Sequence, residues 1–258
     1  MYDDAQKRFD FHRASFSSNP ALKRLYTRWY GMVRDRLPDA RLGPWVELGS
    51  GPGLVTEFIP EVVTTDLVPA PWLGLRSSAE CLPFRSGSVG ALLLFDVLHH
   101  LPNPSRLFDE ANRVLAPGGR LVMCEPLVSV LSYPVYRFFH EEAVVFTSSP
   151  WETVAKAEHP FDGNQAVPTA LLLRGRAELD RRWPGLSLTE LLRFAGPAYP
   201  ATGGFGKKPL LPMRLWEALD AIETRLPSSV FRFVGFRMLA VLSRLSASTP
   251  NIDKATHE

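Results

Sequence analysis

Residues 89–95, VGALLLF, run apolar without a break, and that run constrains the fold more than any other part of the chain. A strand with one wet face alternates apolar and polar residues; an unbroken run bounded by Ser88 and Asp96 predicts a central strand covered on both faces. Cover on both faces means helices above and below, and hence a largely parallel α/β sheet. Further short apolar segments at 44–48 (PWVEL), 61–65 (EVVTT), 72–76 (WLGLR) and 119–124 (GRLVMC) supply the neighbouring strands. Helices are predicted between them at 53–59 and 104–115, the second stopped by the APGG breaker after Leu115. Upstream, Leu22, Leu25, Trp29, Met32, Val33 and Leu37 recur at helical spacing, so 21–37 is an amphipathic helix whose basic residues form a solvated outer face.

With Lys plus Arg at 29 against Asp plus Glu at 27, the chain lacks the field that drives nonspecific nucleic-acid binding, and no nucleic-acid partner is expected. Cys81 and Cys124 sit in apolar contexts without metal or pairing spacing, which suits core thiols in a reducing cytosol. The charged N-terminus and the want of a run of about 18 apolar residues predict a soluble, cytoplasmic protein with no integral membrane segment. The nearest approach to one, 228–245, is interrupted by Arg232, Arg237 and Arg244 and reads as amphipathic or as strand.

Residues 1–43 read as an N-terminal helical cap, 44–126 as the sheet core, and 211–245 as the core's return, with a helix at 211–225 and a last strand near 235–244. Between them, 127–210 reads as a substrate lid, its aromatic part to about 187 inserted over the mouth of the sheet; the small polar tail 246–258 is expected to be disordered. The glycine-rich stretch 196–208 lacks a Walker A pattern and reads as a loop near the substrate, with Lys207 and Lys208 able to meet an acidic group.

Where the first strand ends, WVELGSGPGL spaces its glycines G-x-G-x-G. Any tight strand-to-helix turn can use such glycines, and the dinucleotide fingerprint is G-x-G-x-x-G, so the spacing disfavours a pyrophosphate. Glu47, just upstream, would repel a pyrophosphate but can hold an ammonium, and Asp66 ends the second strand where an acid accepts hydrogen bonds from ribose hydroxyls. Ribose at one end and ammonium at the other describe S-adenosylmethionine.

VELGSGPG resembles motif I of the class I S-adenosylmethionine-dependent methyltransferases. The blocks LPF, DVLHHL and RVLAPGGRL, in order up to residue 126, are similar to the branch that includes the ubiquinone and menaquinone C-methyltransferases. The resemblance covers about 44–126. It implies a Rossmann-like α/β fold with a seven-stranded, mostly parallel sheet, helices on both faces and an inserted lid. It also implies that Gly49, Ser50, Gly51 and Gly53 shape the cofactor loop, that Glu47 faces the methionine end and that Asp66 holds the ribose. Leu67 would pack on adenine, the backbone around Ala79 and Glu80 would recognise its edge where Ser78 replaces the family's Asp, and Phe95 and Asp96 would line the methionine side. Asp96 reads equally as the N-cap of the VLHHL turn.

A methyl acceptor that must lose a proton needs a base, and His140, flanked by Glu141 and Glu142, is the first candidate, with His99 second; of the adjacent His99 and His100, one is expected to point away. His140, Glu141, His159 and Asp162 lack a repeated ligand spacing, so no metal is expected. Tyr133, Tyr136, Phe138, Phe139, Phe146 and Trp151 suit an apolar acceptor site. The expected activity is methylation of a small molecule, on oxygen and in the biosynthesis of a secondary metabolite, by a monomer or homodimer. C- or N-methylation, or a non-methylating reaction that uses the sulfonium, are the alternatives.

Overall fold

The computed structural model describes residues 2–147, 149–151 and 161–246. Seven strands, β1 (Trp45–Leu48), β2 (Val63–Asp66), β3 (Leu75–Arg76), β4 (Val89–Phe95), β5 (Leu115–Pro126), β6 (Leu186–Phe194) and β7 (Arg237–Arg244), form one sheet in the order β3-β2-β1-β4-β5-β7-β6. Neighbours from β3 to β5 are parallel, while β7 runs antiparallel to both β5 and β6. The sheet is thus the seven-stranded, mostly parallel, Rossmann-like one expected.

VGALLLF lies at its centre, and its alternate residues divide between two cores because successive strand side chains point to opposite faces. On one face Leu92 and Leu94 join Val46, Leu48, Leu121 and Met123 beneath helix α3 (Pro104–Val114), which contributes Leu107, Phe108, Ala111 and Val114. On the other, Ala91 and Leu93 join Val122, Cys124 and Leu239 against helix α2 (Pro20–Arg34), through Leu22, Leu25, Trp29 and Val33. Cys124 is a core thiol, pushed up to about 12 by burial, but Cys81 is exposed, contrary to expectation.

Helix α1 (Tyr2–Ser18) precedes α2, and Asn19 caps the latter: its side chain accepts the Leu22 N–H at 3.1 Å and donates to the Thr202 carbonyl at 2.9 Å. Asn19→Ala removes both bonds, and a loss of about 1–2 kcal/mol in urea unfolding is expected. The basic face of α2 is not simply solvated: Arg28 grips Asp220 of the later helix α6 (Met213–Glu223) through bonds of 2.9 and 2.6 Å.

Two elements differ from the sequence reading. The helix predicted at 53–59 shrinks to a single turn, Leu54–Glu57, because Gly53 enters it in the left-handed region and Pro60 stops it. The sheet also resumes within the stretch read as a lid: helix α4 (Ser132–Phe139) leads it, but helix α5 (Arg176–Arg182) packs under the sheet through Leu179, and β6 pairs with β7. Trp151 goes with that core, against Phe108 and Trp183, rather than to an acceptor site. Phe138 and Phe139 are exposed, and Tyr136 packs on Phe236. The tail from 247 and His159 lie outside the described residues, and no helix among those described is long and apolar enough to cross a membrane.

Candidate functional site

The glycine loop leaves β1 through three left-handed residues, Gly49, Gly51 and Gly53, at φ of 68°, 48° and 72°. A side chain is excluded at the outer two on space as well, since a Cβ would come within 2.7 Å of Val97 at Gly49 and 2.3 Å of the Trp72 ring at Gly53. Ser50 ties the loop to β2: its N–H donates to the Thr65 carbonyl at 2.8 Å and its hydroxyl accepts the Thr65 N–H at 3.1 Å. Asp66, 9% exposed, accepts the Gly51 and Val68 N–H groups, each at 2.8 Å. Each carboxylate oxygen keeps a lone pair, so Asp66 holds the loop and can still accept from a diol.

Glu47 is 2% exposed, and its Oε2 has no hydrogen-bond partner. Burial pushes its carboxyl up to about 8, with nearby Asp66 adding to the rise and Ser50 and Tyr30 opposing it. A buried carboxyl with an orphan oxygen, beside a loop that must be glycine, fits an ammonium-bearing ligand. Leu67, next to Asp66, is 52% exposed and leaves its side chain free to pack on a flat ring. These features suit the cofactor implied by the resemblance.

Helix α1 lies over this loop. Phe9 approaches to 3.6 Å of the Gly51 Cβ position, Arg13 donates to the Pro52 carbonyl at 2.7 Å and lies over Trp72, and Trp72 donates to the Gly51 carbonyl at 3.0 Å. His12 on the same helix stacks on Phe205 at 4.8 Å, and burial together with Arg8 lowers it to about 4. A histidine that stays neutral when folded but titrates near 6.5 when unfolded draws protons to the unfolded state, so stability falls as pH drops from about 6.5 to about 4. Melting curves at pH 7 and 4.5 should therefore show a smaller acid-induced loss in His12→Gln than in the native chain.

On the far side of the site the assignments change. Ala79 is buried, and the Glu80 side chain accepts the Asn103 N–H at 2.7 Å, which fixes the start of α3; the adenine contact expected here is one of the backbone. Phe95 packs between Tyr26 and Tyr30. Asp96, in the left-handed region at φ 60°, is not an N-cap: it pairs with Arg237, a buried residue on β7. The capping falls to Glu125 at the end of β5, whose Oε1 accepts the Val97 and Leu98 N–H groups, both at 2.8 Å.

Glu125 also meets His99 Nδ1 at 2.8 Å, and His99 Nε2 lies 3.2 Å from Glu142. His100 does not point away; its ring lies 4.2 Å from that of His99, with Nε2 3.7 Å from Glu142. The flanking acids do not orient His140 as expected: Glu142 serves the two histidines and Glu141 pairs with Arg8 at 3.4 Å. His140 is exposed, edge-on to Tyr136, and its Nδ1 accepts the Glu142 N–H at 3.3 Å, so the ring is neutral. Partial burial lowers its proton affinity. Glu125 and Arg237 were missed as site residues because a strand-end acid and a strand arginine carry no local signal, and Glu142, expected to orient His140, faces His99 and His100 instead.

Residues 46–123 match the model of a methyltransferase domain. A curated "uncharacterized methyltransferase" of Mycobacterium sp. (strain KMS) is 33% identical over 105 residues, covering 35% of this chain and 38% of that relative. An uncharacterised 37.1 kDa protein in transposon TN4556 of Streptomyces fradiae is 49% identical over 45 residues, covering 17% of this chain and 13% of that one. The chain thus spans well under half the length of the curated relatives it matches. In fold, a solved structure from Galdieria sulphuraria, of a proposed sarcosine dimethylglycine methyltransferase, superposes with a TM-score of 0.51 at 15% identity, covering 92% of this chain and 98% of that chain. Over residues 46–123 this chain is therefore similar to methyltransferase domains, and its sheet shares the fold of the Galdieria sulphuraria structure.

Proposed function

We propose that the chain is an S-adenosylmethionine-dependent methyltransferase of a small-molecule acceptor, and that the transfer goes to oxygen. The observation that carries this reading is the buried, orphaned Oε2 of Glu47 beside the three left-handed glycines. Glu47 would hold the ammonium, the loop from Gly49 to Gly53 would admit the backbone-close part of the ligand, and Asp66 would accept from the ribose. Leu67 would cover one face of adenine. Bound there, S-adenosylmethionine supplies a methyl group activated on its sulfonium.

Displacement at that methyl needs alignment and dryness more than acid or base strength. Phe95 and the Asp96 backbone at the end of β4 would face the methionine side, and α1 and the residues beyond Pro126 would exclude water. His99 sits between two carboxylates and serves as a positioning group. His140, exposed and neutral with its own proton on Nε2, would take the acceptor's proton on Nδ1 in exchange for the Glu142 N–H bond. A His140→Gln variant is expected to lose about 100-fold in kcat, with the alkaline-side plateau of the pH profile abolished.

The reading is tested by incubating the chain with S-adenosylmethionine and a panel of phenolic, carboxylic and amine acceptors. S-adenosylhomocysteine should form together with a product heavier by one methylene, and only with oxygen acceptors. Conversion of an acceptor without S-adenosylhomocysteine would instead establish a reaction that uses the sulfonium only for its charge.

A further inference from the structure

His99, His100 and Glu142 converge from two different parts of the chain, the turn after β4 and the segment after α4. We infer that they form a binding site for one divalent transition-metal ion of the zinc class, with Glu125 and the Asp162 carbonyl orienting the two imidazoles from behind.

Three observations carry this. The first is tautomer control. Glu125 accepts two backbone N–H groups on Oε1 and meets His99 Nδ1 with Oε2, so His99 donates from Nδ1. His100 Nδ1 lies 3.1 Å from the Asp162 carbonyl oxygen, which can only accept, so His100 also donates from Nδ1. Both Nε2 atoms are thereby turned towards Glu142, the arrangement in which metal-binding histidines are held.

The second is geometry. His99 Nε2 and His100 Nε2 stand 3.2 and 3.7 Å from the two Glu142 oxygens, and the ligand atoms of the trio all lie within 4.8 Å of one another. Bonds of about 2.0–2.2 Å to a tetrahedral ion put neighbouring ligands roughly 3.3–3.6 Å apart, so an ion fits with little adjustment. Gly163 makes room for the convergence: a Cβ there would lie 2.9 Å from His100 Nδ1 and 3.0 Å from Glu142 Oε2.

The third is charge. With its Nδ1 proton engaged, His100 presents a lone pair to a carboxylate oxygen, and two acceptors face each other unless a cation lies between them. Two carboxylates, Glu125 and Glu142, face two imidazoles here, and a proton on His99 leaves one negative charge unmatched in a largely buried group. A divalent ion in place of that proton brings the sum to zero. Two nitrogens and one carboxylate leave a coordination position free, the pattern of sites that bind an exchangeable oxygen ligand.

The test needs no methyl donor or acceptor. The full chain, stripped with chelator, is titrated with Co2+ and followed by its visible ligand-field bands, then back-titrated with Zn2+. One equivalent of Co2+ should give tetrahedral or five-coordinate bands that Zn2+ abolishes. His100→Gln and Glu142→Gln should each weaken Co2+ binding by at least about 10-fold while the far-ultraviolet circular dichroism is unchanged. Absence of the bands in the native chain, or bands equally strong in both variants, would overturn the proposal. Should Glu142→Gln fail to fold, His100→Gln alone decides, since its ring sits at the edge of the cluster and no backbone N–H depends on it.

Discussion

Glu47→Gln is expected to make the empty protein more stable at pH 7 while removing most of its affinity for S-adenosylmethionine. Burial raises the folded-state pKa of Glu47 to about 8 from an ordinary 4.5, so its contribution to stability is fully present below 4.5 and is lost as pH climbs towards 8. At pH 7 the unfolded chain has gained an ionised, hydrated carboxylate that the fold withholds, a difference of about 3 kcal/mol at 1.36 kcal/mol per unit. Glutamine has the shape of the protonated acid and carries no such penalty. Chemical denaturation should show the variant gaining about 2–3 kcal/mol at pH 7 and nothing at pH 4. Affinity should move the other way, by about 100-fold or more, because a buried ammonium is left without its counter-charge. A residue that destabilises the resting fold and is repaid on binding is one kept for its ligand.

The second large effect lies just past the carboxyl end of β4. Arg237 is fully buried on β7, pairs with Asp96, contacts Cys124, and lies over Trp29, Phe95 and Tyr199 at 5.3, 5.4 and 5.8 Å. Asp96 is held in the left-handed region, where a non-glycine residue persists only if its surroundings enforce it. Arg237→Met keeps the packing but leaves Asp96 without its cation, and a loss of about 3–5 kcal/mol in denaturant unfolding is expected. Asp96→Asn in the same chain should recover a large part of that loss. Strict additivity of the two substitutions would show that the pair does not hold the turn.

The parts of this architecture written in local pattern were legible before any coordinates. VGALLLF reads as a strand covered on both faces, and the alternation of its side chains between two helical layers follows directly. The glycines of WVELGSGPGL were legible because positive φ leaves a compositional mark. Strand β6 was not: Leu186, Leu188, Leu191 and Leu192 fit helical spacing nearly as well, the register with β7 shifts between Leu188 and Glu190, and the strand exists because β7 offers an open edge. The partnerships of Asp96 with Arg237 and of His99 with Glu125 and Glu142 join residues far apart in the chain, and no spacing rule reaches across such intervals. Helix α1 was expected as part of a helical cap, but not its position over the loop, which rests on Phe9, Arg13 and Trp72 meeting in space.

The central claim is that Glu47, the three glycines and Asp66 form a site for S-adenosylmethionine, and calorimetric titration at pH 7 in two buffers of different ionisation enthalpy tests it most directly. S-adenosylmethionine should bind one to one with release of close to one proton, as the ammonium forces Glu47 to ionise; NADH should give no heat, Gly51→Arg should abolish binding, and Asp66→Ala should weaken it. A chain that binds NADH but not S-adenosylmethionine, or binding unchanged in both variants, would contradict the account.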